Sequence, residues 1–212
     1  MVVVQHRGGG EVLTAMGGPS PSVRVGLLKR GRRLEVATLA WNVVGIVVLG
    51  VAALAARSVA LAGFALDSLI EIGASIVVLW ELAATAQQRQ RRALRLIGAA
   101  FVALAIYLTI QSTVVLVIGY RPRHSELGIV WTAATGVVMF ALAAGKVRTG
   151  AVLDNPVLRT EGRVTAIDGI LATTVLVGLV LNAGWGWWWA DPAAAYVLVY
   201  YGVREARLAF MA

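Results

Sequence analysis

Six long apolar stretches are the feature that most constrains the fold of this chain. They lie near residues 36–56, 59–82, 95–118, 127–147, 164–184 and 190–208. Each approaches or exceeds the roughly 20 residues that a helix needs to cross a bilayer. Because the bilayer core offers no water to unpaired backbone groups, we expect all six to be helical. The sequence therefore predicts an all-α polytopic membrane protein with six transmembrane helices.

The composition agrees with a membrane protein. The 212 residues are 59% hydrophobic and only 14% charged, whereas a soluble domain carries about 25% charged residues. The chain has no cysteine, which excludes disulfides, thiolate metal ligands and redox thiols. A net charge of +8 fits basic loops facing anionic lipid. We therefore expect a lipid bilayer as partner and no nucleic acid.

The first part of the chain differs from the rest. Residues 1–33 are glycine-rich and polar, and they end in a basic cluster, Lys29–Arg33. Such a composition favours a flexible segment, and it lacks the apolar core of a cleaved secretory signal. We predict a flexible basic cytoplasmic arm at 1–33, followed by one transmembrane domain at 34–212.

The basic residues indicate the orientation of the predicted helices. If the connections alternate between two sides, 16 of the 19 Lys and Arg residues share the side of the N-terminus. Only Arg57, Arg121 and Arg123 lie on the other side. Because cytoplasmic loops carry the excess of basic residues, both termini are predicted to be cytoplasmic. Arg outnumbers Lys and Ala is abundant, which fits a GC-rich bacterial genome, and we expect the protein in the cell (inner) membrane.

Two acidic residues lie inside the second apolar stretch. Asp67 and Glu71 are the only charged residues between Ser58 and Trp80. Each costs roughly 2.5–3.5 kcal/mol near mid-membrane, and their i, i+4 spacing puts both on one helix face. Like charges this close repel unless a proton or a cation lies between them. The pair therefore indicates a functional site.

A third acidic residue, Asp168, lies in the fifth stretch, with Glu161 and Thr165 on the same helix face. The alternative to a site is that these acids pair with basic side chains inside the bundle. Every Lys and Arg lies near a boundary of a predicted span, so we expect no such partner, although Arg163 could reach one acid by extending its side chain. The sequence favours a site over structural ion pairs.

Carboxylate oxygens are ligands for hard or borderline divalent cations. We predict Asp67, Glu71 and Asp168 as the metal ligands. Neither histidine is expected to join them, because His6 lies in the arm and His124 in an outward loop. Three further residues are possible additional ligands: Glu161, Thr165 and Asn42.

Two segments resemble the cation diffusion facilitator family of divalent metal transporters. SVALAGFALDSLIEIGASIVVLW at 58–80 is similar to the family's second span, and RTEGRVTAIDG at 159–169 with the following GWWWADP is similar to its fifth and sixth. The resemblance implies an ion site built from a DxxxD pair and an HxxxD pair. Asp67 and Glu71 match the first pair, and Asp168 matches the acid of the second.

The chain departs from the family pattern in three ways. The family histidine falls on Val164, which cannot bind a metal and shifts the expectation away from zinc. Only a few residues follow the sixth stretch, so we expect no cytoplasmic metal-sensing domain, and the histidine-rich loop of zinc-handling relatives is also missing. The resemblance still implies a homodimer, with no face indicated for pairing.

These observations lead to one expected function and two alternatives. We expect a secondary transporter, not an enzyme, that exports a divalent metal cation in exchange for protons and has no bound cofactor. The missing histidine and C-terminal domain leave open a non-transporting membrane subunit that partners a full-length relative. A pump of protons or of a small cationic drug is the third possibility, and it would not depend on metal. The residues do not identify the metal.

Overall fold

The protein is all-helical in the part of the chain that the computed structural model describes, residues 21–81 and 87–211. This confirms the predicted all-α class for these residues. The helices are α1 (Pro21–Ala56), α2 (Val59–Glu81), α3 (Gln87–Ile118), α4 (Glu126–Val152), α5 (Pro156–Trp185) and α6 (Ala190–Met211).

The long apolar helices are compatible with a multi-pass membrane protein. Within the described ranges, four helical segments are long and apolar enough to cross a bilayer: Pro21–Ala56, Gly98–Ile118, Glu126–Val152 and Leu158–Trp185. Large aliphatic side chains are exposed on their surfaces, as in Leu54 (82% exposed) and Val117 (81%). Lipid contact explains such exposure, since a soluble protein would bury most of these side chains. The count of six spans stays a prediction.

Helix α1 begins inside the predicted arm, whose flexibility stays a prediction. Helix α1 begins at Pro21, so residues 21–33 are helical, including the exposed basic cluster Lys29–Arg33. Proline suits the first position of a helix, and leucine, lysine and arginine favour its continuation. Residues 1–20, the rest of the predicted arm, lie outside the described residues.

Side-chain caps set several helix boundaries. The Ser125 hydroxyl accepts a hydrogen bond from the Gly128 N–H at the start of α4, and the Asn155 side chain accepts one from the Leu158 N–H at the start of α5. These bonds satisfy backbone donors that a helix start leaves unpaired. Helix α5 ends at Trp185, and Gly186 caps it with a φ of 68°, in the left-handed region that favours glycine.

Contacts between distant residues show which helix ends lie together. At one end of the bundle, the Arg123 N–H donates to the Ala56 carbonyl over 2.9 Å, and the Asn182 side chain donates to the Pro122 carbonyl over 3.1 Å. We call this the Arg57 end, after the connection between α1 and α2. The opposite end, where the side chains of α1, α4 and α5 meet at Lys146, is called the Lys146 end.

Asp191 connects two helices at the Arg57 end. It lies in the first turn of α6 and is fully buried. Its carboxylate accepts hydrogen bonds from the Ser58 hydroxyl and from the backbone N–H groups of Val59 (3.0 Å) and Ala60 (3.4 Å). A residue of α6 therefore caps the start of α2, and its negative charge also suits the positive end of that helix dipole.

Candidate metal centre

Helix α2 points two acidic side chains into the bundle. Ala60, Phe64 and Asp67 are all buried, and with Glu71 they follow the three- and four-residue spacing of one helix face. The face begins with apolar packing near the Arg57 end and becomes acidic further along the helix. Asp67 and Glu71 therefore lie on the face of α2 that packs against the neighbouring helices.

Helix α5 supplies the third acidic side chain. Asp168 is 1% exposed, and Thr165, Ala172 and Val175 on the same face are also buried. On the neighbouring face, Gly162 lies against the backbone of α4, which brings α4 and α5 close together. Asp168 therefore points into the interior, away from lipid.

The structure brings the three predicted acids together. One carboxylate oxygen from each of Asp67, Glu71 and Asp168 lies within 4.8 Å of the others. Both oxygens of Asp168 are buried, with no hydrogen-bond partner among the described residues. A buried charge without a partner is strongly unfavourable, so buried carboxylates normally pair, bind a metal or take up a proton. The three clustered carboxylates can therefore bind a cation or take up a proton.

Asn42 reaches this cluster from α1. It is 1% exposed, and its Nδ2 donates a hydrogen bond of 3.0 Å to Oε2 of Glu71. Asn42 had been predicted as a possible additional ligand, and a direct bond to a metal stays a prediction. In the structure its amide holds one oxygen of Glu71 in place, which leaves the other oxygen free to bind.

Glu161 and Thr165, the other two possible ligands, contact a lysine. Nζ of Lys146 lies 2.9 Å from Oε2 of Glu35, 3.0 Å from Oγ1 of Thr165 and 3.8 Å from Oε2 of Glu161. We call these four residues the Lys146 cluster. It lies beside the three carboxylates, and a metal-binding role for Glu161 or Thr165 stays a prediction.

Lys146 lies near the boundary of the fourth predicted stretch, as expected, but its side chain is fully buried. Sequence reasoning missed it because it lies at the edge of an apolar stretch. The small residues around it, as in ALAAGKV, could have indicated close helix packing. In the described part of the chain, ion pairs link Lys146 to Glu35 and Glu161 and Arg204 to Glu205. None of these ion pairs includes one of the three site carboxylates.

Other residues considered from the sequence lie outside the cluster. His124 and Arg163 are exposed. Val164, at the position of the family histidine, is partly buried on α5 and offers no ligand atom. His6 lies outside the described residues.

The chemistry of the cluster suits a divalent cation. Its three acids offer only oxygen ligands, which hard and borderline ions such as Mg²⁺, Mn²⁺ and Ca²⁺ prefer. The two unpaired oxygens of Asp168 fit such an ion, since a cation would satisfy both. The chain matches no family model.

Proposed function

We propose that this protein is a secondary transporter that exports a divalent metal cation across the cell membrane in exchange for protons. The observation that carries the proposal is the buried carboxylate of Asp168, which lies next to Asp67 and Glu71 and has no hydrogen-bond partner in the part of the chain that the structure describes. The resemblance of the α2 and α5 sequences to the cation diffusion facilitator family supports the same function. In this proposal all six helices cross the bilayer, and both termini are cytoplasmic.

The depth of the carboxylates supports transport over a fixed structural metal. Asp67 is eight residues after the start of α2, which corresponds to about 12 Å along a helix. Asp168 is four residues after Val164, where the apolar stretch of α5 begins, or about 6 Å. Both acids thus lie inside apolar stretches, where ionisable residues typically mark ion pathways.

The charges of the site suggest how cation and proton exchange. When the site is open to the cytoplasm, ionised Asp67, Glu71 and Asp168 bind the cation, and the Asn42 amide keeps Glu71 oriented. When the site opens to the other side, protons neutralise the same oxygens and the cation leaves. Because three carboxylates this close cannot all remain charged without a counter-ion, the two kinds of cation compete for one site.

A flux assay on purified protein in liposomes tests the proposal. Manganese, iron, magnesium, cobalt and zinc are offered in turn, while an internal dye records proton movement. We expect Asp67→Asn and Asp168→Asn to abolish uptake of the transported metal and the coupled proton flux. Asp154→Asn is the matched control, because Asp154 is exposed in the connection between α4 and α5.

Two outcomes would contradict the proposal. One is metal flux that survives Asp168→Asn in correctly folded protein. The other is proton flux that is the same with and without any of the five metals, which would indicate a proton pump instead.

A further inference from the structure

The Lys146 cluster lies between the three site carboxylates and the Lys146 end. On α1, Glu35 precedes Asn42 by seven residues, or about 10 Å along the helix. On α5, Thr165 precedes Asp168 by three residues, or about 4.5 Å. Both helices thus carry a site residue and, one or two turns nearer the Lys146 end, a partner of Lys146.

Through this cluster one side chain joins three helices. Lys146 of α4 contacts Glu35 of α1 and both Thr165 and Glu161 of α5. Glu35, Lys146 and Thr165 are each no more than 2% exposed. The ammonium group therefore occupies the interior at the level where a cation from the Lys146 end would have to pass.

Stability alone does not account for this arrangement. A buried ion pair gains little over apolar residues of similar volume, because both charges must lose their water. Moreover, Oε1 of Glu35 is buried and has no hydrogen-bond partner among the residues described. An unsatisfied buried carboxylate oxygen costs free energy, so stability does not explain the whole network. The network fits a contact that is made in one state of the protein and broken in another.

We propose that Lys146 closes an inner gate between the cytoplasm and the three carboxylates. In the conformation described here the gate is closed, because Lys146 contacts both Glu35 of α1 and Thr165 of α5 on the side of the site that faces the Lys146 end. Opening requires Lys146 to leave Glu35 or Thr165, so that α1 separates from α4 and α5. Glu35 and Glu161, released from the lysine, then offer their carboxylates to the entering cation. This inference rests on the proposed function for its direction of transport.

The absence of cysteine in the chain allows a direct test of the gate. Thr38 lies on α1 between Glu35 and Asn42, on the same face, and is 3% exposed. A cysteine at this position in Thr38→Cys reports whether the space between gate and site is open. The measurement is the rate at which a membrane-impermeant maleimide, added at the Lys146 end of oriented vesicles without metal, labels this cysteine.

We expect slow labelling of Thr38→Cys alone and labelling faster by roughly tenfold or more when Lys146→Met is added, because loss of one partner greatly weakens a buried ion pair. Lys29→Met is the matched control, since Lys29, the other lysine of the chain, is exposed on α1. If Lys146→Met does not fold, Glu35→Gln provides the second variant and should also accelerate labelling.

An unchanged labelling rate in folded Lys146→Met, or an equal increase in Lys29→Met, would overturn the gate. Because the labelling experiment needs no metal, its result can contradict the gate without contradicting the transport function, and a flux assay can do the opposite. If Lys146→Met accelerates labelling but the protein carries no metal, the gate is supported and the proposed transport of a metal is wrong. If the protein carries metal but Lys146→Met leaves the labelling rate unchanged, the transport function is supported and the gate is wrong.

Discussion

The three site carboxylates differ in what surrounds them. Glu71 receives a hydrogen bond from Asn42, whereas neither oxygen of Asp168 has a partner in the described part of the protein. A hydrogen bond from a neutral amide orients a carboxylate and stabilises its charge. Asp168 therefore depends more than Glu71 on a bound cation, and Glu71 is held in position beforehand by Asn42.

We predict that Asn42→Ala weakens cation binding and leaves the fold intact. Partners that orient metal ligands typically contribute about 10- to 100-fold in affinity, so the metal concentration for half-maximal flux should rise by about that factor. The matched control is Trp41→Phe, which removes a neighbouring bond from α1, donated by the Trp41 indole to Thr135 over 3.1 Å. Equal effects of the two variants would contradict the role given to Asn42.

The site acids could be predicted from the sequence, whereas their surroundings could not. Asp67, Glu71 and Asp168 stand out because a charge inside an apolar stretch needs a reason. Lys146 and Glu35 lie at the edges of such stretches, where charged residues are ordinary. Only the packing of α1, α4 and α5 shows that these edge residues are buried, and no periodicity in one helix contains that information.

At the scale of helices, close packing of α4 on α5 brings Lys146 to Thr165. A Cβ atom added at Gly162 would lie 2.9 Å from the backbone N of Val147 and 3.1 Å from the carbonyl of Ala143. Both distances are too short for a relaxed contact with backbone atoms, which cannot move aside as a side chain does. Glycine at this position therefore sets how closely the two helices approach.

We predict that Gly162→Ala destabilises the protein by about 1–3 kcal/mol, the usual cost of overpacking a tight contact. The unfolding temperature in detergent should fall, and metal flux should decrease because α5 carries Asp168. Gly26→Ala is the control, since a Cβ there would meet nothing within 4 Å, and alanine favours the helix. An unchanged unfolding temperature for Gly162→Ala would show that the helices can separate at little cost.

Helix boundaries were predictable where the chain changes composition and less so elsewhere. The start of α2 at Val59 follows from the polar Arg57 and Ser58 before it. The start of α1 at Pro21 was missed because glycines and charged residues precede the apolar part of that helix. A helix can continue beyond the bilayer into water, where hydropathy no longer reveals it.

At the scale of the whole molecule, the described contacts group the helix ends into two sets. The connections at Arg57 and Arg123 lie together, and the Lys146 cluster lies at the other end of the bundle. Short connections between neighbouring helices produce this alternation. The excess of basic residues then predicts that the Lys146 end faces the cytoplasm.

We predict opposite accessibility for two cysteines introduced into the exposed connections. His124→Cys, at the Arg57 end, should react with an impermeant maleimide added to intact cells. Asp154→Cys, at the Lys146 end, should react only in inverted vesicles. Both positions are exposed, so the side of the membrane is the main difference between them. The reverse pattern would invert the proposed direction of transport.

The hydrogen bonds from α2 to Asp191 have a consequence for movement. They fix the first turn of α2 to α6, so the two helices must shift together at that end. Farther along α2, where Asp67 and Glu71 lie, no such bond to α6 is present in the described residues. We expect α2 to tilt about its first turn, which stays fixed to α6. A small rotation there then produces a larger displacement of Asp67 and Glu71, which lie farther along the helix.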